Sequence, residues 1–438
     1  IRIDASSSAV TFAQTNINMN GAGGNENFEV SPGNHDAYTP RDNAGNGDAI
    51  YVTGLTGSLT INGGGITQPG DDGIDIRNSR NLTLSAMTFT EPGRSATAGC
   101  VDCNSSGVQA FGLTGLNSVS NSSFVRGRLR NFYISNPTGT TTLNITGSTF
   151  DDTRGQGTPA TDNLQIYASG TASAAFNISN STFLKSATHQ INAVAKDNAV
   201  ITELDITGIT MNNDGGPSSG IRVDAEGASQ IALNVIGNPV LYSQDENVVT
   251  VSTTGTAQLQ GRIADNPDMR FTTASPGGSS FVGMRAVSDG TTSRVTLAIT
   301  NNVLNVNNGT DGITLSVQGA SAARIDANIT GNTLTAAGAP GIPLDGINAF
   351  VNPTLGGSKV VCMTAAGNTV NGIWNRAARA RAFSPTGTYV TGYSGSFAAT
   401  WIAQGNNSGA IVATEFAGGG GVVAAPPQPC ATPVNPLP

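Results

Sequence analysis

Residues Leu143 to Phe150 read LNITGSTF, and residues Phe176 to Phe183 read FNISNSTF. Both stretches place apolar side chains at the first, third and last positions, with small polar residues between them. Similar phrases end at Phe89, Met211, Leu304 and Leu334, and weaker ones at Ile66, Phe124, Val240, Met269 and Val370. Successive ends lie roughly 23 to 36 residues apart, a period typical of solenoid repeats. The sequence therefore predicts a repeating scaffold.

A second phrase lies between copies of the first and begins with a turn residue. It reads DGIDI at 72–76, DNLQI at 162–166 and DGITL at 311–315. Alternation of apolar and polar residues is typical of a strand with one buried face. Asp or Asn followed by Gly favours a turn just before such a strand. Each repeat is thus expected to contain at least two strands and almost no helix.

Like phrases recur only after a full repeat, which favours stacking of each strand on its own copy. This arrangement is an all-β parallel β-helix, and the repeats give about 11 coils and a rod on the order of 50 Å long at ~4.8 Å per coil. Glycine, at 56 of 438 residues, supplies corners with positive φ. Stacking predicts one buried column of Phe89, Phe150, Phe183, Met211, Leu304 and Leu334. Left-handed corners with an internal asparagine ladder are expected at Asn121, Asn180, Asn238, Asn266, Asn302, Asn332 and Asn368.

The phrases divide the chain into four segments. Residues 46–372 carry the repeats, and residues 1–45 are expected to cap the first coil because open strand edges must be covered. Residues 373–423 are predicted to form an aromatic-rich C-terminal cap, and residues 424–438 a proline-rich tail or linker. Aromatic residues in the C-terminal cap lie beside Arg376, Arg379 and Arg381. A sugar-stacking or partner-docking patch is the alternative interpretation of that cluster.

The phrases LNITGSTF, FNISNSTF, DGITLSV and ANITGNTL resemble those of secreted bacterial right-handed parallel β-helix proteins, also called β-strand-repeat exoproteins. More distantly they resemble the pectin-lyase-like superfamily. The resemblance covers about residues 45 to 372 and implies a right-handed parallel β-helix. Adhesins, exoproteins and polysaccharide enzymes share such scaffold motifs, so the resemblance implies a fold much more than an activity.

Composition limits the partners. The net charge is −8, and the pI near 4.7 argues against nucleic acid. Only 11% of residues are charged, so Ser, Thr, Asn and Gly must dominate the surface. Such a surface suits contact with glycans or other cell-surface proteins and self-association into a fibre, or it serves solubility alone. The chain has no apolar run of about 18 residues, so the sequence predicts no membrane span.

Four cysteines, Cys100, Cys103, Cys362 and Cys430, favour an oxidising, extracellular or cell-surface location. Cys362 and Cys430 are expected to join the C-terminal segment to the last coil. Cys100 and Cys103 are expected to pair with each other or to form a local loop pair, since no second CxxC completes a zinc site.

Asp71, Asp72 and Asp75 form the densest acidic group, with Arg77 and Arg80 close by in the sequence. They are a weak Ca²⁺ candidate, and they faintly resemble the acidic strand of polygalacturonases. The companion motifs of those hydrolases are missing, so we expect no catalytic residue and no cofactor other than this weak calcium candidate. Strand alternation predicts that Asp75 points outward between Ile74 and Ile76.

The sequence thus favours a non-enzymatic extracellular protein, either a structural rod or an adhesive fibre segment with glycan contact. The alternative is a polysaccharide lyase or glycoside hydrolase, including a depolymerase similar to phage tailspikes, that acts in a groove of the β-helix. Three or more carboxylates from neighbouring coils, gathered in one groove, would favour the enzyme.

Overall fold

A computed structural model describes residues 1–4, 7–18, 48–69, 72–92, 106–153, 161–272, 282–307, 311–318, 322–337, 345–351, 359–382, 388–391, 401, 405–406, 412–416 and 430–433. The chain forms two compact units, Ile1–Asn192 and Ala193–Pro438. Every element with defined bounds among these residues is a β-strand.

The strands of the first unit are β1 (Arg2–Asp4), β2 (Val10–Asn18), β3 (Ile50–Thr53), β4 (Leu59–Thr67), β5 (Ile74–Arg77), β6 (Leu82–Thr90), β7 (Ser106–Phe111), β8 (Gly115–Ser120), β9 (Ser123–Val125), β10 (Arg130–Asn136), β11 (Thr140–Thr146), β12 (Thr149–Asp151), β13 (Leu164–Ala168), β14 (Ser173–Ser179) and β15 (Thr182–Leu184). The boundary between the units falls within β16 (Ile191–Ala195).

The strands of the second unit are β17 (Val200–Thr207), β18 (Thr210–Ser218), β19 (Ile221–Ala225), β20 (Gln230–Ile236), β21 (Val240–Asp245), β22 (Val249–Gly255), β23 (Gln258–Ala264), β24 (Met269–Thr272), β25 (Val282–Gly290), β26 (Arg294–Thr300), β27 (Val303–Asn307), β28 (Asp311–Val317), β29 (Arg324–Thr330), β30 (Thr333–Ala337), β31 (Asp345–Val351), β32 (Lys359–Ala366), β33 (Thr369–Gly372), β34 (Arg376–Ala382), β35 (Thr388–Thr391) and β36 (Val412–Phe416).

Within the first unit, strands of successive coils pair in parallel. One sheet, here called the turn-start sheet, runs β1-β3-β5-β7-β10-β13. The other, the long sheet, stacks β2, β4, β6, the pair β8 and β9, the pair β11 and β12, and the pair β14 and β15. This pairing confirms the predicted all-β parallel β-helix in this unit.

The second unit repeats the same plan. Its turn-start sheet runs β19-β22-β25-β28-β31-β34-β36 in parallel. Its long sheet stacks β17, β20, β23, β26, β29, β32 and β35, with β18, β21, β24, β27, β30 and β33 as the second strand of each coil.

The ladder extends beyond the predicted range 46–372. In the N-terminal segment β1 pairs with β3 and β2 with β4. In the C-terminal segment β34 pairs with β31, and β36 pairs with β34. Both segments therefore add coils of their own to the about 11 predicted from the phrases. Their period-2 pattern was too short or too interrupted to count as a repeat, and their role as caps stays a prediction.

The apolar ends of the phrases form a buried column in each unit. In the first unit, the rings of Phe89, Phe124, Phe150 and Phe183 stack with centroids 4.7, 4.9 and 4.8 Å apart. In the second unit, strand pairing places these residues in register on successive coils: Met211, Leu241, Met269, Leu304, Leu334 and Val370. Val240, the expected end of its phrase, is wrong by one residue, and Leu241 takes the buried position.

Each coil enters the column through a two-residue corner. The first residue has positive φ, as at Asn121 (49°), Gly147 (60°) and Asn180 (48°), or at Asn301 (56°) and Gly331 (68°) in the second unit. The second residue is buried inside the coil. The left-handed corners predicted at Asn121 and Asn180 are confirmed, but both side chains are exposed and do not belong to an internal ladder, contrary to the prediction.

In the first unit, serine fills the inner corner position at Ser122, Ser148 and Ser181, and Met87 takes it one coil before Ser122. The backbone N–H of Ser122 donates to Ser148 Oγ at 3.2 Å, and that of Ser148 donates to Ser181 Oγ at 3.1 Å. Each hydroxyl donates to a carbonyl two residues earlier in its own coil, for example Ser148 Oγ to Thr146 O at 3.1 Å. One side-chain hydrogen bond thus links each coil to the next at this corner.

In the second unit Ile209 takes this position in the first coil. Asparagine fills it in the coils that follow, and these residues form a continuous ladder of Asn238, Asn266, Asn302, Asn332, Asn368 and Asn406. Asn266 shows the pattern. Its backbone N–H and Nδ2 donate to Asn302 Oδ1 at 3.2 and 2.8 Å, and Nδ2 also donates to Val235 O at 3.0 Å. Asn266 Oδ1 in turn accepts from the N–H and Nδ2 of Asn238, so this amide side chain takes part in four hydrogen bonds where the Ser148 hydroxyl takes part in two.

The C-terminal residues 430–433, here called the strap, lie across the long sheet of the second unit. Cys430 and Cys362 form the predicted disulfide, with Cα atoms 5.3 Å apart. Ala431 N donates to Asp326 Oδ1 at 3.1 Å, one coil earlier. Pro433 lies beside Gln260, two coils earlier still. The strap therefore crosses the strands from later coils towards earlier ones.

Candidate functional site

The acidic group proposed from the sequence is built into the turn-start sheet of the first unit. Asp71 lies outside the described residues. Asp72 is buried, its backbone N–H donates to Asp48 Oδ1 at 3.2 Å, and its own Oδ1 accepts the N–H of Ser106 at 2.6 Å. These bonds run from coil to coil at the start of the strands. Asp72 therefore helps to hold successive turns together.

Asp75 lies in β5 between the buried Ile74 and Ile76, and its carboxylate forms an ion pair with Arg77 at 2.9 Å. Both members of the pair are buried. Tyr51 and Gln109 flank Asp75 in register on the adjacent coils, so neither neighbour adds a carboxylate to it. In the described part of the chain, no three or more His, Cys, Asp or Glu side chains come together as a metal-binding group. A calcium site at this place stays a prediction.

The other residues singled out from the sequence fall in two classes. Cys100 and Cys103 lie outside the described residues. The arginines near the C-terminus contact the preceding coil: Arg376 Nε donates to Asp345 Oδ1 at 2.6 Å, and Arg379 lies 3.4 Å from the same carboxylate. The Arg381 guanidinium lies 4.8 Å from the centroid of the Phe350 ring. These contacts tie β34 to β31.

A cluster that the sequence did not reveal lies at the start of β13. Asp162 is fully buried, and its Oδ1 accepts hydrogen bonds from His189 Nδ1 at 2.8 Å, from His189 N at 3.0 Å and from Thr188 Oγ1 at 2.6 Å. Its Oδ2 accepts from Asn192 Nδ2 at 2.8 Å. Asp162, Thr188, His189 and Asn192 are here called the Asp162 cluster.

The carboxylate of Asp162 orients the ring of its histidine. Burial by itself would raise the pKa of Asp162, but the charge and hydrogen bond of His189, with those of Thr188 and Asn192, lower this pKa below its ordinary value. An ionised carboxylate accepts only, so the proton of the contact lies on Nδ1 of His189. In the neutral ring the lone pair is then on Nε2. A buried carboxylate thus orients an imidazole whose second nitrogen is an acceptor.

The second unit contains an equivalent group around Asp311. Asp345 N donates to Asp311 Oδ1 at 3.0 Å, and Asn348 Nδ2 donates to Asp311 Oδ2 at 2.7 Å. Asp345 thus occupies the position of His189, and Asn348 that of Asn192. Burial and the charge of Asp345 raise the pKa of Asp311, although hydrogen bonds from Asn348 and Thr314 oppose them. The same geometry therefore shifts two carboxyl groups in opposite directions.

The long sheet of the first unit presents a different surface. Its outward positions form three rows of hydroxyl and amide side chains, here called the hydroxyl–amide face. The rows are Thr60, Thr83, Ser118, Asn144 and Asn177; Asn62, Ser85, Ser120, Thr146 and Ser179; and Thr88, Ser123, Thr149 and Thr182. All are at least partly exposed. Among β4, β6, β8, β9, β11, β12, β14 and β15, Asp151 is the single charged residue.

Neighbouring side chains of this face are hydrogen-bonded along the coil axis. Asn177 Nδ2 donates to Asn144 Oδ1 at 2.9 Å, and Ser179 Oγ donates to Thr146 Oγ1 at 3.3 Å. The matching outward row of the second unit is charged, since it contains Asp205 and Arg262. The uncharged array is thus a property of the first unit.

No family model matches this chain, and neither the curated proteins nor the solved structures compared with it gave a match. Among the described residues, no helix is both long and apolar enough to cross a membrane.

Proposed function

We propose that this protein is an extracellular, non-enzymatic β-solenoid with a structural or adhesive role, and that its first unit contacts uncharged glycans. The observation that carries the proposal is the hydroxyl–amide face. Its regular rows offer donors and acceptors in fixed positions about 4.8 Å apart along the coil axis. A polymer with regularly spaced hydroxyl groups has the complementary chemistry.

Two further features support this function. A face almost without charge offers no attraction to acidic polymers, so it should prefer neutral glycans. The disulfide between Cys362 and Cys430 suits an oxidising compartment, where secreted and surface proteins fold. The stacked rings and corner ladders give the face a rigid base, which limits the entropy lost on binding.

A panel of immobilised neutral and acidic polysaccharides tests this proposal with the whole chain. We expect binding to neutral glycans that persists at high salt, because uncharged hydrogen bonds are not screened. Asn144→Lys places a charge in the middle of the face and should abolish most of this binding. The matched control is Asn328→Lys, which adds the same charge at the equivalent position of the second unit and should leave binding unchanged.

Equal binding of acidic and neutral glycans, or equal loss in both variants, would contradict a role for the hydroxyl–amide face. The same samples, with and without Ca²⁺, should release neither reducing ends nor unsaturated products. Release of either would overturn the non-enzymatic assignment in favour of a lyase or hydrolase.

A further inference from the structure

Three acceptor atoms beside the Asp162 cluster have no hydrogen-bond donor. Asn192 Oδ1 and Gln165 Oε1 are buried without a partner, and both side chains are more than nine-tenths buried. His189 uses Nδ1 for Asp162, and no described residue donates to its Nε2. Buried polar atoms are nearly always paired, so the two buried amide oxygens, with His189 Nε2 beside them, indicate a missing partner.

The three residues lie on adjacent segments of the turn-start sheet. Asn163 N donates to His189 O at 3.0 Å, and Leu164 N donates to Gln190 O at 3.0 Å. These parallel bonds align Leu164 with Ile191, and Gln165 with Asn192. Gln165 follows an inward Leu164 and precedes an inward Ile166, so it faces outward as Asn192 does. The open acceptors thus share one face.

The Asp311 cluster of the second unit shows what fills such a position. Asn348 Oδ1, the equivalent of Asn192 Oδ1, accepts a hydrogen bond from Arg381 Nε at 3.3 Å. The carboxylate of Asp345, at the position of His189, is paired with Arg376 and Arg379. In that cluster the guanidinium groups of Arg376, Arg379 and Arg381 supply the hydrogen-bond donors.

We propose that the Asp162 cluster and Gln165 bind a primary ammonium group. An ammonium has three N–H donors and no acceptor, which matches two amide oxygens and, in the neutral imidazole, the lone pair of His189 Nε2. The ionised Asp162 supplies the negative charge. Arg130, the cation on the preceding coil, lies over the Tyr133 ring with its guanidinium carbon 4.5 Å from the centroid. The low exposure of His189, Asn192 and Gln165 admits a small head group rather than a whole sugar ring.

The site does not depend on the glycan contact proposed above. The ammonium group that it binds could belong to a small amine or to a deacetylated amino sugar. The chain has two histidines, His35 and His189, so the ring signals of His189 can be assigned in NMR spectra with His35→Gln. We expect methylammonium to shift the His189 signals saturably at constant ionic strength, and methanol to leave them unchanged. Glucosamine set against glucose then separates an amino-sugar source from a simple amine.

Gln165→Ala should weaken methylammonium binding about tenfold, since it removes one hydrogen bond to a charged group. Gln165→Glu should tighten it about tenfold, because a carboxylate replaces a neutral acceptor. Thr314→Ala, the change at the equivalent position of the second unit, should leave it unchanged. Equal shifts with methanol, no saturable shift with methylammonium, or no gain in a folded Gln165→Glu protein would overturn the proposal and leave water as the partner of these atoms.

Discussion

The two units build the same coil from different side chains. At the buried column the first unit stacks phenylalanine rings, whereas the second registers leucine, methionine and valine. At the inner corner the first unit has serine and the second has asparagine. The strand-start carboxylates differ as well, with a histidine partner in one unit and an aspartate in the other.

This difference teaches that the backbone ladder sets the positions and that each position demands only a physical property. The column needs large apolar side chains, because they fill the space between coils. The inner corner needs an acceptor for the N–H of the preceding coil, which a hydroxyl or an amide oxygen provides. Serine and asparagine differ in how many hydrogen bonds depend on the side chain, so their substitution should lower the free energy of unfolding by different amounts.

The column gives the largest expected effect. Phe150 lies between two rings, at 4.9 and 4.8 Å, so Phe150→Ala should lower the free energy of unfolding by about 3 to 5 kcal/mol. Leu304→Ala in the second unit should cost about 1 kcal/mol less, since it breaks no aromatic stack. Urea denaturation measures both. Leu116, 73% exposed, provides the control, and a loss at Leu116→Ala equal to that at Phe150→Ala would refute the column.

The corner ladders come next. Asn302→Ala removes the acceptor of both the backbone N–H and Nδ2 of Asn266, and should cost about 2 to 4 kcal/mol because buried donors lose their partner. Ser148→Ala leaves only the N–H of Ser122 without an acceptor and should cost about 1 to 2 kcal/mol. The same denaturation experiment compares them, with exposed Asn305→Ala as control. Equal costs in the two units would show that the amide adds nothing to the hydroxyl.

The strand-start carboxylates should respond to pH in opposite directions. The folded pKa of Asp162 is lowered, so its ionised form stabilises the fold above the unfolded value of about 3.9, and this stability is lost as pH falls through the folded pKa. Asp162→Asn should therefore cost about 2 to 3 kcal/mol at pH 7 and much less in acid. The pKa of Asp311 is raised, so its ionisation costs stability as pH rises above about 3.9.

Asp311→Asn should accordingly be less harmful at pH 7 than Asp162→Asn. Urea unfolding of the parent protein and both variants between pH 3 and pH 8 measures the two profiles. Parallel profiles for the two variants would be inconsistent with opposite pKa shifts.

The outer corner position gives the smallest effect. Gly331 has φ +68°, and an added Cβ would lie 2.6 Å from Asn301 Oδ1, so Gly331→Ala should cost about 1 to 2 kcal/mol. Asn301, at the same corner one coil earlier with φ 56°, already tolerates the left-handed region. Asn301→Gly should change stability by less than about 0.5 kcal/mol. Thermal unfolding compares the pair, and a large loss at Asn301→Gly would indicate that its side chain matters more than its backbone.

The phrases predicted the ladder well because a column position demands an apolar residue at a fixed offset. The column position predicted at Val240 was wrong by one residue. Two residues, Pro239 and Val240, separate the ladder asparagine Asn238 from the column residue Leu241, whereas only one residue separates Asn302 from Leu304. The ladder role predicted for Asn121 was wrong because asparagine suits both corner positions. Only the sign of φ and the burial of the side chain distinguish the outer position from the inner one.

The Asp162 cluster could not be read from the sequence because its members are separated by loops of variable length. Asp162 and His189 are 27 residues apart, and no local motif links them. Alignment of strand starts would have given the signal, since both residues lie two positions before a buried apolar residue, Leu164 and Ile191. The open acceptors of Asn192 and Gln165 depend on side-chain geometry, which no spacing encodes.

The strap changes how the protein would carry a mechanical load. Cys430 is bonded covalently to Cys362, 68 residues earlier, so tension applied beyond Cys430 enters the fold at β32. The intervening segment, including β33 to β36, then bears none of that tension while the disulfide holds. The pull acts on a strand bonded on both sides, to β29 and to β35. Several rows of hydrogen bonds must then be sheared together, whereas a pull on the last strand would open them one at a time.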